Sequence, residues 1–111
     1  MNWNEAKAFL PFKHVTEQEV FERLLTGRAH LWCGNKCSGV TEVTDENALH
    51  VWLAGGSLDG LIAMLPDVEA FAKAMHCASI ELTGRKGWQR IFPRFGYAFD
   101  GVKMVKYFDG R

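Results

Sequence analysis

The chain has 111 residues, with 13 Lys plus Arg against 13 Asp plus Glu, so its formal net charge at pH 7 is zero. That length sets one domain with one principal core, and the hydrophobic share of 48% beside a charged share of 23% excludes a chain that is mostly disordered. A balanced charge gives no long-range field to draw the chain onto nucleic acid or anionic lipid, so neither is expected as a partner.

In chain order, the first fifteen residues read as an extension with one short helix around residues 5–10, stopped by Pro11. Thr16 followed by Glu19 makes a capping box, and the helix it opens carries Val20, Phe21, Leu24 and Leu25 on one face before Gly27 ends it. Residues 29–33 and 40–44 flank the turn Gly34-Asn35-Lys36 and predict a hairpin. A second turn, Asp45-Glu46-Asn47, leads into a strand over residues 48–54. There Leu49, Val51 and Leu53 are expected on one face, with Trp52 and Ala54 leaving the other nearly as apolar, the pattern of a central strand covered on both sides.

Gly55 and Gly56 are expected to break that strand, and Ser57 to cap a helix carrying Leu58, Leu61, Ile62 and Leu65. Pro66 should kink or restart the helix, which resumes with Val68, Phe71, Ala72 and Met75. His76 stands where a helix end favours a left-handed residue. Residues 79–83 form a short strand with Ile80 and Leu82 alternating against Glu81. Residues 86–92 predict a last helix ended near Pro93, and Asp100-Gly101 the turn of a closing hairpin between residues 97–99 and 102–108. The single strand–helix–strand crossover argues for an α/β (α+β) fold with a mixed sheet and helices packed on its faces.

Several of these segments carry a family resemblance. The strand Leu49-His50-Val51-Trp52-Leu53 running into Gly55-Gly56-Ser57, the helix Glu69-Ala70-Phe71-Ala72-Lys73-Ala74-Met75-His76-Cys77 followed by Ile80-Glu81-Leu82, and Gly84-Arg85-Lys86-Gly87-Trp88-Gln89-Arg90 with Arg94-Phe95-Gly96-Tyr97 are similar to successive parts of GNAT-type N-acetyltransferases. The likeness is closest to the short GNAT-like proteins of bacteriophages and prophages and spans residues 16–108. It implies a mostly antiparallel central sheet with helices on both faces, and acetyl-coenzyme A as the cofactor. The cofactor would sit at Leu53, Ala54, Gly55, Gly56, Ser57 and Leu58, with Arg85 near its arm. Two positions depart from the family pattern: Asp59 lies in the phosphate loop, and Phe92 stands where the family's proton-donating tyrosine is usual.

Read from chemistry alone, a strand ending in two glycines before a helix start suits either a pyrophosphate or merely a tight turn. His50 and Glu81, each facing away from its strand's apolar side, are candidate bases for taking a proton from an amine, or else ordinary half-buried polar residues. Cys33, Cys37 and His30 fall short of a four-ligand site, and no metal is expected. Lys86, Arg90 and Arg94 with Arg85 make either a phosphate-binding or a solvated face. Trp3, Phe9 and Phe12 need cover, from this chain or from a partner subunit.

The odd set of three cysteines, the absence of a basic-then-apolar start and the lack of an apolar run of membrane length lead to the expectation of a cytoplasmic protein, in the host cytoplasm or the virion for a phage product. Two functions follow. One is a GNAT-like acyltransferase moving an acyl group from acyl-coenzyme A to an amine. The other is a non-catalytic GNAT-fold protein of phage particle assembly or of host or virion protein interaction, working as an oligomer or with a protein partner.

Overall fold

The computed structural model describes residues 2–83 and 86–109. Helix α1 (Trp3–Ala6) is a single turn whose start is capped by Asn2, the Oδ1 atom accepting from Glu5 N at 3.0 Å; a 3-10 turn (Lys7–Phe9) continues it. Helix α2 (Glu17–Leu25) opens with Thr16 Oγ1 accepting from Glu19 N at 3.1 Å and closes at Gly27, as the capping chemistry predicts. Strands β1 (His30–Gly34) and β2 (Cys37–Val43) form the expected hairpin around Asn35-Lys36, and β3 (Ala48–Gly56) follows. Helix α3 (Leu58–Ala74) is capped by Ser57, and His76 adopts the left-handed conformation after it, with φ 61°. Strand β4 (Ser79–Leu82), the one-turn helix α4 (Trp88–Ile91), and strands β5 (Ala98–Phe99) and β6 (Met104–Tyr107) complete the described chain.

The sheet has six strands in the order β1-β2-β3-β4-β6-β5, and the fold is mixed α+β. Every neighbouring pair is antiparallel except β3 with β4, which α3 joins as a crossover. The last hairpin folds back so that β6, not β5, lies beside β4. Among the described residues no helix is long and apolar enough to cross a membrane.

Two cores lie on the two faces of this sheet. Leu49, Val51, Ile80 and Leu82 meet Leu65, Val68 and Ala72 of α3, together with Trp88, Phe92 and Tyr97. On the other face Val40 and Leu53 meet Leu10, Val20 and Ala29, with Trp3, Phe12 and Leu24 packed around them. Leu53 is therefore not on the face of Leu49 and Val51, contrary to simple alternation. Val40 of β2 pairs with Leu53 and Thr41 with Val51, leaving Trp52 as one extra residue in β3. That bulge shifts the pleat by one and sends Trp52 and Leu53 to the same side.

Three further expectations change. Gly55 and Gly56 do not break the strand; they pair with Ser38 and Cys37 of β2. Helix α3 runs on through Pro66, so the expected restart there does not occur. The last helix is shorter than residues 86–92, because Phe92 already begins a 3-10 turn (Phe92–Phe95) that accommodates Pro93 and ends at Gly96. The N-terminal aromatics find cover in their own chain: the Trp3 ring lies 5.6 Å from Phe21 and 6.4 Å from Phe12.

A Cβ on Gly55 would overlap the carbonyl oxygen of Phe9, so this glycine is what lets the N-terminal segment lie flat on β3. Gly55→Ala is expected to cost roughly 1–3 kcal/mol, as overpacked sites do. Gly87→Ala, at a helical φ of −59° with nothing within 4 Å of the new Cβ, should be neutral or stabilising. Urea unfolding of the two variants measures the contrast.

Candidate functional site

The parallel ladder between β3 and β4 is short. It runs from Ala48 opposite Ser79 to Val51 opposite Leu82, where β4 ends, while β3 continues to Gly56. Beyond Val51, the side of β3 turned away from β2 has no ladder partner among the described residues, which leaves a gap there in the described sheet. On the α3 side of this gap lies a cavity of about 50 Å³ with apolar walls, including Val51, Ala54, Leu61, Met64, Trp88 and Phe92. Such a space suits a small apolar group at the end of a chain rather than a ring.

The two candidate bases come together at the near end of the gap. His50 and Glu81 are register partners on β3 and β4, and both point to the α2 side, because their neighbours Leu49, Val51, Ile80 and Leu82 point to α3. His50 Nδ1 lies 3.1 Å from Glu81 Oε1, off the line of a hydrogen bond, and is buried without an aligned partner. Glu81 Oε2 holds the Lys103 ammonium at 2.9 Å. The three side chains are 19%, 14% and 35% exposed, respectively, so the cluster sits at the protein–water boundary. The hydrogen bond to Glu81, and then its charge, hold the Lys103 ammonium above the usual lysine range.

This row extends across the sheet. Glu42 of β2 is the other register partner of His50, and its Oε2 accepts from Arg23 of α2 at 2.9 Å. The Arg23 guanidinium lies 4.3 Å from the centre of the Trp52 ring, a cation–π contact that ties the bulge to α2. Sequence spacing gave no sign of Arg23, Glu42 or Lys103: strand register brings Glu42 beside His50, and the side chains of Arg23 and Lys103 reach the row from outside these strands.

The expected cofactor residues are placed differently from one another. Ala54 lines the cavity, whereas Leu53 is buried in the opposite core. Gly55 is covered by Phe9, and a Cβ on Gly56 would overlap the Lys36 carbonyl, so the close approach that glycine allows is used by the chain's own backbone. Ser57 donates its N–H to Lys36 O at 2.8 Å and accepts from Gly60 N at 3.2 Å; Leu58 begins α3, half-buried. Asp59, exposed in the first turn, offers an anion no attraction. Arg85 lies outside the described residues, and Lys86, Arg90 and Arg94 are exposed.

Phe92 forms part of the cavity wall, edge-on to Trp88 at 5.4 Å and to Tyr97 at 5.7 Å. Tyr97 does not take its place as an acid. Its hydroxyl donates to Glu69 Oε2 at 2.8 Å, while Glu69 Oε1 holds Lys106 Nζ at 2.9 Å. Burial, reinforced by the Glu69 carboxylate, pushes the phenol far above its ordinary range. Burial likewise raises the thiols of Cys37 and Cys77, which makes them poor nucleophiles. Among the described residues no group of three or more His, Cys, Asp or Glu side chains is arranged to hold a metal ion.

No known protein family, curated protein or solved structure matches this chain.

Tyr97→Phe removes a hydrogen bond to a carboxylate and leaves Glu69 with Lys106 alone. The expected loss is about 1.5–3 kcal/mol of stability, read as a lower Tm.

Proposed function

We propose that this chain is a GNAT-like acyltransferase domain that takes an acyl-coenzyme A in the gap between β3 and β4 and hands the acyl group to an amine. The observation that carries this reading is the parallel pair that ends at Val51 and Leu82, with an apolar cavity on one face of the opening and the His50–Glu81 pair on the other. The element order supports it, with hairpin, central strand, helix, strand, short helix and closing hairpin as in the family the sequence resembles.

The arm of such a cofactor fits the gap. It is an extended chain bearing amides, and the side of β3 from Trp52 to Ala54, which has no ladder partner among the described residues, would hold it as a sheet edge holds an added strand. Its acyl tail would enter the cavity beside Ala54 and Phe92, leaving the thioester carbonyl in the gap between the two faces, where a nitrogen approaching from the His50 side would meet it. Among the described residues the phosphates would have the backbone at the start of α3 near Leu58, since both glycines are already covered and the Ser57 N–H is bonded to Lys36 O. Bound there, the cofactor supplies an acyl carbonyl activated as a thioester.

The chain's own part is proton handling and orientation. His50 accepts the proton that the attacking nitrogen must lose, and Glu81 beside it stabilises the imidazolium that forms. Phe92 gives no proton to the departing thiolate, so that proton comes from water or from the imidazolium that His50 has become.

A second reading is favoured by Phe92 and by the covered glycines: a GNAT fold kept without catalysis, as a phage structural or interaction protein acting as an oligomer or on a protein partner.

Calorimetry and thermal unfolding with acetyl-coenzyme A decide between the two. The first reading predicts saturable binding and a raised Tm, with about 2.7 kcal/mol of stabilisation at 100 times Kd. His50→Gln should then lower kcat by about 10²–10⁴-fold with binding kept, and Phe92→Tyr should raise it at least about tenfold by supplying the acid. No thermal shift at millimolar cofactor, with a defined oligomer by light scattering, contradicts the first reading and favours the second.

A further inference from the structure

His50 has a carboxylate beside it on each neighbouring strand, Glu42 on β2 and Glu81 on β4. Two negative charges beside an imidazole favour its protonated form, and an imidazolium has no lone pair with which to accept a proton. Each carboxylate, however, is held by a cation from outside these strands. Arg23 comes from α2 to Glu42, and Lys103 comes from the β5–β6 loop to Glu81. The remaining charged groups acting on Lys103 are Asp100 and Glu46.

The loop is built to deliver Lys103. Asp100 Oδ1 accepts from both Val102 N and Lys103 N at 2.9 Å, and Asp100 N donates to Lys103 O at 3.0 Å. Asp100 thus fixes the backbone of the residue whose ammonium reaches Glu81. Gly101 takes the left-handed conformation this turn needs, with φ 101°.

We propose that Lys103 is a positioning residue for the acyl transfer: by pairing with Glu81 Oε2 it offsets that carboxylate's charge and fixes Oε1 against the imidazole, so that the His50 ring is oriented to take the proton from the attacking nitrogen. The inference rests on the reading of His50 as the base. The step balances: the nitrogen gains the acyl carbon, the sulfur leaves with the bonding pair, and the nitrogen's proton moves to the free imidazole nitrogen.

The test follows the His50 imidazole signals of the full-length chain by NMR across pH, assigned with His50→Gln, in Lys103→Met and Lys103→Arg. Lys103→Met is expected to move the His50 titration midpoint up by about half a unit to one unit, as a carboxylate left unpaired beside an imidazole does. The acid limb of the pH–rate profile should move with it, and Lys103→Arg should restore both. A folded Lys103→Met with an unchanged midpoint overturns the inference. Glu81→Gln provides an independent arm should Lys103→Met fold poorly; its midpoint should fall, and an unchanged or raised one also overturns the inference. Because the NMR readout needs no substrate, absence of acyl transfer by the wild-type chain contradicts the proposed reaction without obscuring whether Lys103 controls His50.

Discussion

At Trp52, strand β3 carries one residue more than its partner β2, and the two functional faces of the sheet are organised around that extra residue. A bulge bends the strand that holds it and increases its twist. Here it lies one residue past Val51, where the described ladder to β4 ends. It also resets the pleat. Leu53 joins the core beneath α2, Ala54 turns to the cavity beneath α3, and Gly55 turns its bare face to Phe9. The gap, the cavity and the seating of the N-terminal segment thus have a shared geometric origin.

The bulge is held from both sides. On the α2 side the Arg23 guanidinium lies over the Trp52 ring while bonding Glu42, so the residue that stacks on the bulge also begins the polar row across the sheet. On the α3 side Thr41, beside the bulge, accepts a hydrogen bond from Trp32 Nε1 at 2.9 Å, and the Trp32 ring meets Phe71 edge-on at 5.4 Å. Surface ion pairs are individually worth little. The row from Arg23 to Lys103 matters more for the charge it sets around His50 than for the stability it adds. A second, half-buried charged group, Glu69 with Tyr97 and Lys106, ties α3 to the last hairpin and its preceding turn.

Helix caps and stops were legible in the sequence. The Thr16 cap, the Gly27 stop, the Ser57 cap and the left-handed His76 each depend on residues within a few positions of one another. The order of strands and helices was legible too, because apolar periodicity survives in every element longer than a turn. What escaped was whatever depends on register. Period-two alternation put Leu53 with Val51, and only the pairing of Val40 and Thr41 reveals that Trp52 is surplus. The double glycine has the same pattern whether a ligand or the chain itself approaches it. Phe9, more than forty positions away, occupies one of those faces. His50 and Glu81 were recognisable by their polar faces, but not the fact that they touch. Lys103 became visible only once the last hairpin was seen to place β6 against β4.

The central claim is that the opening of β3 away from β4 receives the arm of an acyl thioester. Amide NMR of the isotopically labelled chain titrated with acetyl-coenzyme A tests it most directly. The account predicts saturable shifts concentrated at Trp52, Leu53 and Ala54 and at cavity residues such as Leu61 and Met64, with the far edge of β1 unmoved. Shifts confined to the exposed basic residues Lys86, Arg90 and Arg94, or no shifts at millimolar cofactor, would contradict it.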